Sequence, residues 1–150
     1  MRKGIKLAGR ITELRLKETD MPSEAEWSRY FRPRKTLLRL GLGRGMVFAD
    51  LGCGYGTFSL AGSRIVGKSG KVYAIDVDRK VITRLRRRAS ENLVPILGDI
   101  SRPERIPVPA HSMDFCLLAN VIHGAKDRVG LLKGVRRSIT SVKQIMPSLK

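Results

Sequence analysis

Acids are scarce in this sequence. Thirteen Asp+Glu stand against 30 Lys+Arg, which leaves a formal net charge of +17 over 150 residues. Such an excess raises affinity for nucleic acid and other polyanions by a route that ignores sequence. Aromatics make up only 5% of the chain, so no obvious base-stacking platform accompanies the charge. Asn and Gln are also few, which fits the alternative of a heavily charged, solvated surface on a heat-adapted protein. Cysteine is nearly absent: Cys53 and Cys116 offer neither a metal-ligand spacing nor a disulfide framework. No apolar run approaches the roughly 18 residues of a membrane helix. The basic start, Met1-Arg2-Lys3-Gly4-Ile5-Lys6, lacks the apolar stretch and cleavage site of a secretory signal. The expected location is therefore the cytoplasm, with no membrane partner and no metal.

The hydrophobic content of 42% is that of an ordinary globular chain, and the length suits one domain with a real core. Residues 1–22 read as a basic N-terminal arm, and residues 23–150 as the folded domain. Ser23 with Glu26 forms a capping box that predicts a helix over Glu24–Phe31. Pro33 interrupts it. Arg34–Leu40 reads as a second short helix, stopped by Gly41 and Gly43.

Four apolar segments then alternate with helical ones. The strands are expected at Met46–Asp50, Lys71–Asp76, Leu93–Gly98 and Met113–Ala119, and the helices at Gly56–Ile65 and Arg79–Ala89. Pro95 places the third strand at a sheet edge, and Pro103, Pro107 and Pro109 make residues 101–112 a loop. Alternating strands and helices imply βαβ units around a parallel sheet. The last segment, Lys126–Met146, carries Leu132, Val135, Ile139, Val142 and Met146 at helical spacing. It reads as one helix that ends at Pro147.

The most telling stretch is Val47-Phe48-Ala49-Asp50-Leu51-Gly52-Cys53-Gly54-Tyr55-Gly56. A strand ends in an acid, and three glycines follow at alternate positions. Glycine permits φ > 0 and lets the backbone approach a ligand, and in open α/β sheets ligands bind at the carboxyl ends of the strands. The spacing differs from the dinucleotide fingerprint G-x-G-x-x-G, whose third glycine would fall at Thr57. Two further acids sit at strand ends: Asp76 after the second strand, 20 residues beyond Gly56, and Asp99 after the third.

Asp50-Leu51-Gly52-Cys53-Gly54-Tyr55-Gly56 resembles the first motif, D/E-x-G-x-G-x-G, of class I S-adenosylmethionine-dependent methyltransferases. The resemblance covers about residues 25–137. It implies a Rossmann-like three-layer α/β sandwich with a mainly parallel sheet of strand order 3-2-1-4, and S-adenosyl-L-methionine as cofactor. It places Asp50 near the methionine end, where a negative field favours the sulfonium and the α-amino group. The backbone of Gly52, Cys53, Gly54, Tyr55 and Gly56 lines the same end. The resemblance gives Asp76 to the ribose hydroxyls, with Asp78 as the second choice, since a carboxylate offers two acceptor oxygens and no donor. Val77 and Ile100 fall beside the base, and Asp99 at its amino group.

Ala119-Asn120-Val121-Ile122-His123 resembles the fourth motif of small-molecule methyltransferases of the quinone-biosynthesis type. It implies that Asn120 lies beside the methyl donor and that His123 orients the acceptor or takes its proton. An Asn/Asp-Pro-Pro-aromatic motif is missing, because Val121 and Ile122 follow Asn120. Cys116 lacks the paired prolines of a cytosine-C5 nucleophile. Trp27, Tyr30 and Phe31 are candidates to cover the cofactor or wall the acceptor pocket, with core packing expected for at least one.

The resemblance also implies strands beyond the fourth, for which residues 147–150 leave little room. Strand four would then be an exposed apolar edge, which invites pairing with another chain. A homo-oligomer formed through strand four or the last helix is therefore expected. The expected activity is methyl transfer to an unidentified acceptor, a small molecule before others. The alternative is a silent S-adenosylmethionine-fold domain that binds RNA or protein through the basic surface.

Overall fold

The computed structural model describes residues 23–101, 106–119, 121 and 126–139. Among the described residues nine elements follow in order: α1 (Glu24–Phe31), α2 (Pro33–Arg39), β1 (Val47–Leu51), α3 (Thr57–Val66), β2 (Lys71–Asp76), α4 (Arg79–Arg86), β3 (Leu93–Leu97), β4 (Phe115–Leu117) and α5 (Arg128–Ser138). The four strands form one parallel sheet in the order β3-β2-β1-β4. The expected fold class and strand order are those observed.

The central strands are buried on both faces, which is why they read as near-continuous apolar runs. Their side chains alternate between two cores. Phe48, Val72, Ala74, Leu93, Phe115 and Leu117 pack against α2, α3 and α4. On the other face, Ala49, Leu51, Ile75, Met113, Cys116 and Leu118 meet Leu131 and Val135 of α5. The result is a helix–sheet–helix sandwich. Phe48 and Phe115, neighbours on β1 and β4, meet edge to face at 5.5 Å between ring centroids, a favoured aromatic geometry.

Local signals account for the helix ends. Ser23 and Glu26 form the expected reciprocal capping box, with the Glu26 amide donating to Ser23 Oγ and the Ser23 amide to Glu26 Oε2. Arg32 ends α1 and starts α2 in the left-handed region (φ 42°). Pro33 then occupies the first turn of α2, where its missing N–H costs nothing. Trp27 and Phe31 stack at 4.9 Å, and Phe31 leans on Phe58 of α3. Phe31 and Trp27 thus belong to packing, whereas Tyr30 is 82% exposed. On the far side of the sheet Pro95 sits in the edge strand β3 opposite Ala74, as expected.

The C-terminal reading needs correction. The expected helix over Lys126–Met146 is α5, and it ends at Ser138. Ile139 is extended (φ −93°, ψ 132°) and forms a parallel bridge with Met113. The Ser112 and Met113 amides both donate to Ser138 O, and His111 donates to Arg137 O. The physical reason is competition. Two glycines, Gly130 and Gly134, weaken the helix. The β-branched Ile139 gains both a sheet edge and the core that holds Leu131 and Val135. The i, i+3, i+4 seam could not distinguish a helical Ile139 from an extended one, because both reach the same core. Val142 and Met146 lie outside the described residues.

As expected, β4 lies at the edge of the described sheet, while its side chains are covered. Phe115, Cys116 and Leu117 are buried by the helical layers, at 3%, 2% and 0% exposure. The approach to the strand is tied to Ile139. Strand four is shorter than expected, and just before it Asp114 holds the start of β1: its Oδ2 accepts from the Val47 amide at 2.9 Å, and its own amide donates to Val47 O.

Candidate active site

The crevice lies where β1, β2 and β3 end. Gly52, Gly54 and Gly56 all have positive φ (78°, 53° and 80°), a conformation that L side chains enter at a cost. The turn is tied to β2 by its own backbone: the Gly52 and Cys53 amides both donate to Ile75 O, at 2.7 and 2.9 Å. The Gly56 amide then donates back to Cys53 O at 3.0 Å, and α3 begins. The two later glycines serve different ends. A Cβ on Gly56 would lie 2.5 Å from Leu85 Cδ1 of α4, so this glycine lets α4 approach the turn. A Cβ on Gly54 would meet nothing within 4 Å, so this backbone faces open space.

Helix α3 begins with Gly56 as its cap and no side-chain cap bond. Its first amides and its positive dipole end stand at the turn, an arrangement suited to a carboxylate or other anion.

Asp76, at the end of β2, is 4% exposed. Its Oδ2 accepts from the Gly54 amide at 2.9 Å, and its Oδ1 from the Asp78 amide at 3.0 Å. Asp78, the second candidate for the same role, is the N-cap of α4: its Oδ1 accepts from the Lys80 and Val81 amides. An acid just before a helix is a cap signal, and the cap explains Asp78.

Asp50 is 2% exposed and lies beneath the turn. Ser59 Oγ of α3 donates to its Oδ2 at 2.6 Å. The bond ties the end of β1 to the first half of α3. Nine residues separate Asp50 from Ser59, and no motif spacing announced the pair.

Asp99 is exposed and accepts from the Ser101 amide at 2.9 Å through Oδ1, an Asx-type turn. Ile100 is buried. Val77, directly after Asp76, is 59% exposed, an apolar side chain left open at the mouth. Tyr55 is half-buried, with the Arg84 guanidinium 5.9 Å from its ring centroid, within cation–π range. Cys53 is buried, and Cys116 in β4 is buried beside the Asp50 charge. Burial first and Asp50 second push the Cys116 thiol well above the usual range. It cannot supply a thiolate nucleophile.

Asn120 and His123 lie outside the described residues. The neighbouring Ala119 and Val121 are half-buried. Among the described residues no group of His, Cys, Asp or Glu is arranged to hold a metal, and no helix is long and apolar enough to cross a membrane.

A parallel 3-2-1-4 sheet, a positive-φ glycine turn after β1 and a buried acid after β2 define a Rossmann-like class of methyltransferase. The model of the Methyltransferase domain family matches residues 49–141, and the chain belongs to that family, of the class I type that uses S-adenosylmethionine. The residues fit that cofactor: a glycine turn whose Gly54 backbone faces open space, a helix N-terminus and acceptor oxygens at successive strand ends.

Among curated relatives, the chain is 38% identical over 68 residues to a probable cobalt-precorrin-6B C(15)-methyltransferase (decarboxylating) of Saccharolobus solfataricus, covering 42% of this chain and 34% of the relative. It is 25% identical over 122 residues to a demethylmenaquinone methyltransferase of Geobacillus stearothermophilus, covering 78% and 51%. The chain thus spans about a third to a half of these proteins. A crystal structure of a SAM-dependent methyltransferase from Aquifex aeolicus shares 28% identity and a TM-score of 0.68, over 88% of this chain and 66% of that one. Aeropyrum pernix fibrillarin, solved with natively bound S-adenosyl-L-methionine, shares the fold at a TM-score of 0.58 and 23% identity, over 69% and 45%.

Proposed function

We propose that this chain is the S-adenosylmethionine-binding domain of an enzyme that transfers a methyl group to a small-molecule acceptor. One observation carries the reading: the buried Asp76 carboxylate holds the Gly54 amide of a turn whose three glycines all have positive φ. The pair sets a two-oxygen acceptor beside a backbone cradle, which matches a ligand with a ribose diol next to an amino-acid tail.

In this reading Asp76 accepts the ribose hydroxyls. Asp99 accepts the adenine amino group, with Val77 and Ile100 against the base. The backbone from Gly52 through Cys53, Gly54, Tyr55 and Gly56 wraps the methionine end, where the α3 N-terminus meets its carboxylate. The field of Asp50 favours the cationic part. The sulfonium supplies an electrophilic methyl group and a neutral leaving group. The protein's work is then to bring a nucleophile in line and keep water out. Asn120 is assigned to the donor end and His123 to the acceptor's orientation or proton.

A small acceptor is favoured because the two relatives are named for a quinone precursor and a precorrin. Calorimetric titration with S-adenosylmethionine and S-adenosylhomocysteine tests the site, with Asp76→Ala beside it. Saturable binding that the substitution weakens supports the reading and opens an acceptor screen. Absence of binding at millimolar ligand sinks it, and a silent module that binds RNA or protein becomes the better account.

A further inference from the structure

A cleft of about 410 Å³ lies between the N-terminal helices and α3, away from the strand-end crevice except at Thr57. Its rim carries Arg32, Arg34, Lys35, Arg64 and Arg88. Glu24 lines it too, and Glu24 is taken: Arg88 Nη1 and Nη2 donate to its two carboxylate oxygens, both at 2.7 Å. Among the described residues, no carboxylate pairs with Arg32, Arg34, Lys35 or Arg64. Among the described residues, four cations thus line one depression with no carboxylate paired to them.

The backbone adds a second observation. Arg32 occupies the corner between α1 and α2 at φ 42°. Glycine would hold that corner without the cost an L side chain incurs. The chain carries a guanidinium there instead, directly on the cleft.

From this geometry we infer that the cleft binds the phosphodiester backbone of a single-stranded nucleic acid, without reading its bases. The floor follows one stripe of α3, from Thr57 through Leu60 and Ala61 to Arg64. That stripe is about 10 Å long at the helical rise, about three nucleotides at the 3.4 Å rise of a stacked strand. The charge does not stop at the cleft. Arg84 lies near enough to act on the Glu24 carboxylate, and Arg86 and Arg87 are exposed beside Arg88 in the chain, so further positive charge borders the cleft. That continuity favours a polymer over a small phosphate ester. Among the described residues no aromatic side chain lines the cleft, so interactions with phosphates dominate and sequence goes unread. The inference needs no methyl transfer and stands apart from the cofactor site.

Fluorescence anisotropy of a labelled oligouridine of about 20 nucleotides, longer than the cleft and its flanking arginines, tests it on the full chain across a salt series. Arg34→Glu/Lys35→Glu is the cleft variant, since acids in the first turn of α2 suit the helix dipole. Arg64→Glu is the second, independent variant. Lys133→Glu/Arg136→Glu on α5, across the sheet, matches the charge change of the double variant. Both cleft variants should bind at least several-fold more weakly. The slope of log K against log salt should fall by about 0.7 for each phosphate the variant no longer neutralises, while the α5 variant keeps the wild-type slope. Equal weakening in cleft and α5 variants would show attraction by net charge alone and overturn the inference. So would capture of inorganic tripolyphosphate without binding of the oligonucleotide. Cleft variants that bind like wild type would overturn it as well.

Discussion

The Asp76 carboxylate accepts the Gly54 amide at 2.9 Å, across 22 residues of sequence. One bond thereby ties the end of β2 to the middle of the glycine turn. The same acid serves the loop's conformation and the crevice's acceptor chemistry. Asp76→Asn keeps an acceptor for Gly54 while removing the charge, and Asp76→Ala removes both. Hydrogen bonds to charged groups are worth about 1.5–3 kcal/mol. Asp76→Ala should therefore destabilise the fold by about that much, and Asp76→Asn by less. Both should weaken S-adenosylmethionine binding about tenfold or more, the scale of one charged hydrogen bond. Denaturant unfolding and calorimetry on the two variants separate the roles.

The two later glycines of the turn should respond differently to alanine. Gly56→Ala combines a positive φ of 80° with a Cβ 2.5 Å from Leu85 Cδ1, so it should cost about 1–3 kcal/mol through overpacking alone. Leu85→Ala in the same chain should relieve the clash but open a cavity. Gly54→Ala meets no atom and should cost only the left-handed conformation, about 1 kcal/mol. Its loss of cofactor affinity should exceed its loss of stability, because the new methyl projects into open space beside Asp76. Gly54→Ala that binds S-adenosylmethionine like wild type would place the ligand elsewhere.

Glu24 and Arg88 join α1 to the end of α4, and the guanidinium holds the Glu24 carboxyl below its ordinary range. A depressed carboxyl stabilises the fold above its unfolded pKa of about 4.3. That contribution fades as pH falls through the lower, folded value. The side chains are 39% and 42% exposed, so the pair is worth at most about 1 kcal/mol. Glu24→Gln should lower the melting temperature slightly at neutral pH. The gap to wild type should close as the pH drops below the carboxylate range, and again in high salt.

Cys53 and Cys116 are both buried. Ellman's reagent at mildly alkaline pH should leave them unmodified in the native protein and titrate both after unfolding in guanidinium. Cys116→Ala should retain whatever methyl transfer the chain performs, at a stability cost from the small cavity it leaves. Loss of transfer in a folded Cys116→Ala protein would overturn the packing role.

Ile139 ends the described chain as a strand residue against Met113, 5% exposed. Ile139→Ala should cost about 2–4 kcal/mol, as for other buried Ile positions. A value near zero, measured by chemical denaturation, would mean that the bridge does not hold α5 to the sheet.

Much of this was legible in the one-dimensional pattern. Near-continuous apolar runs at 46–50 and 71–76 marked strands buried on both faces, and the Ser23/Glu26 spacing marked the start of α1. Pro95 marked a sheet edge. Glycines at alternate positions after an acid marked the crevice, because few other residues tolerate that backbone. The readings that changed depended on partners far away in sequence or on bonds that spacing does not show. Ile139 was expected inside a helix, and its fate was decided by a place beside Met113.

By itself, then, the sequence determined the alternation of strands and helices, the turn that needs glycine, the acids at the strand ends and the excess of positive charge. These follow from periodicity, φ restrictions and composition, all of which are local. Only the tertiary structure decided that Ser59 would serve Asp50, that Asp76 would hold Gly54, that α5 would stop for the sheet, and that arginines and a lysine from separate segments would face one cleft. Each of those depends on which surfaces meet once the two cores close, and burial is settled by the whole chain at once.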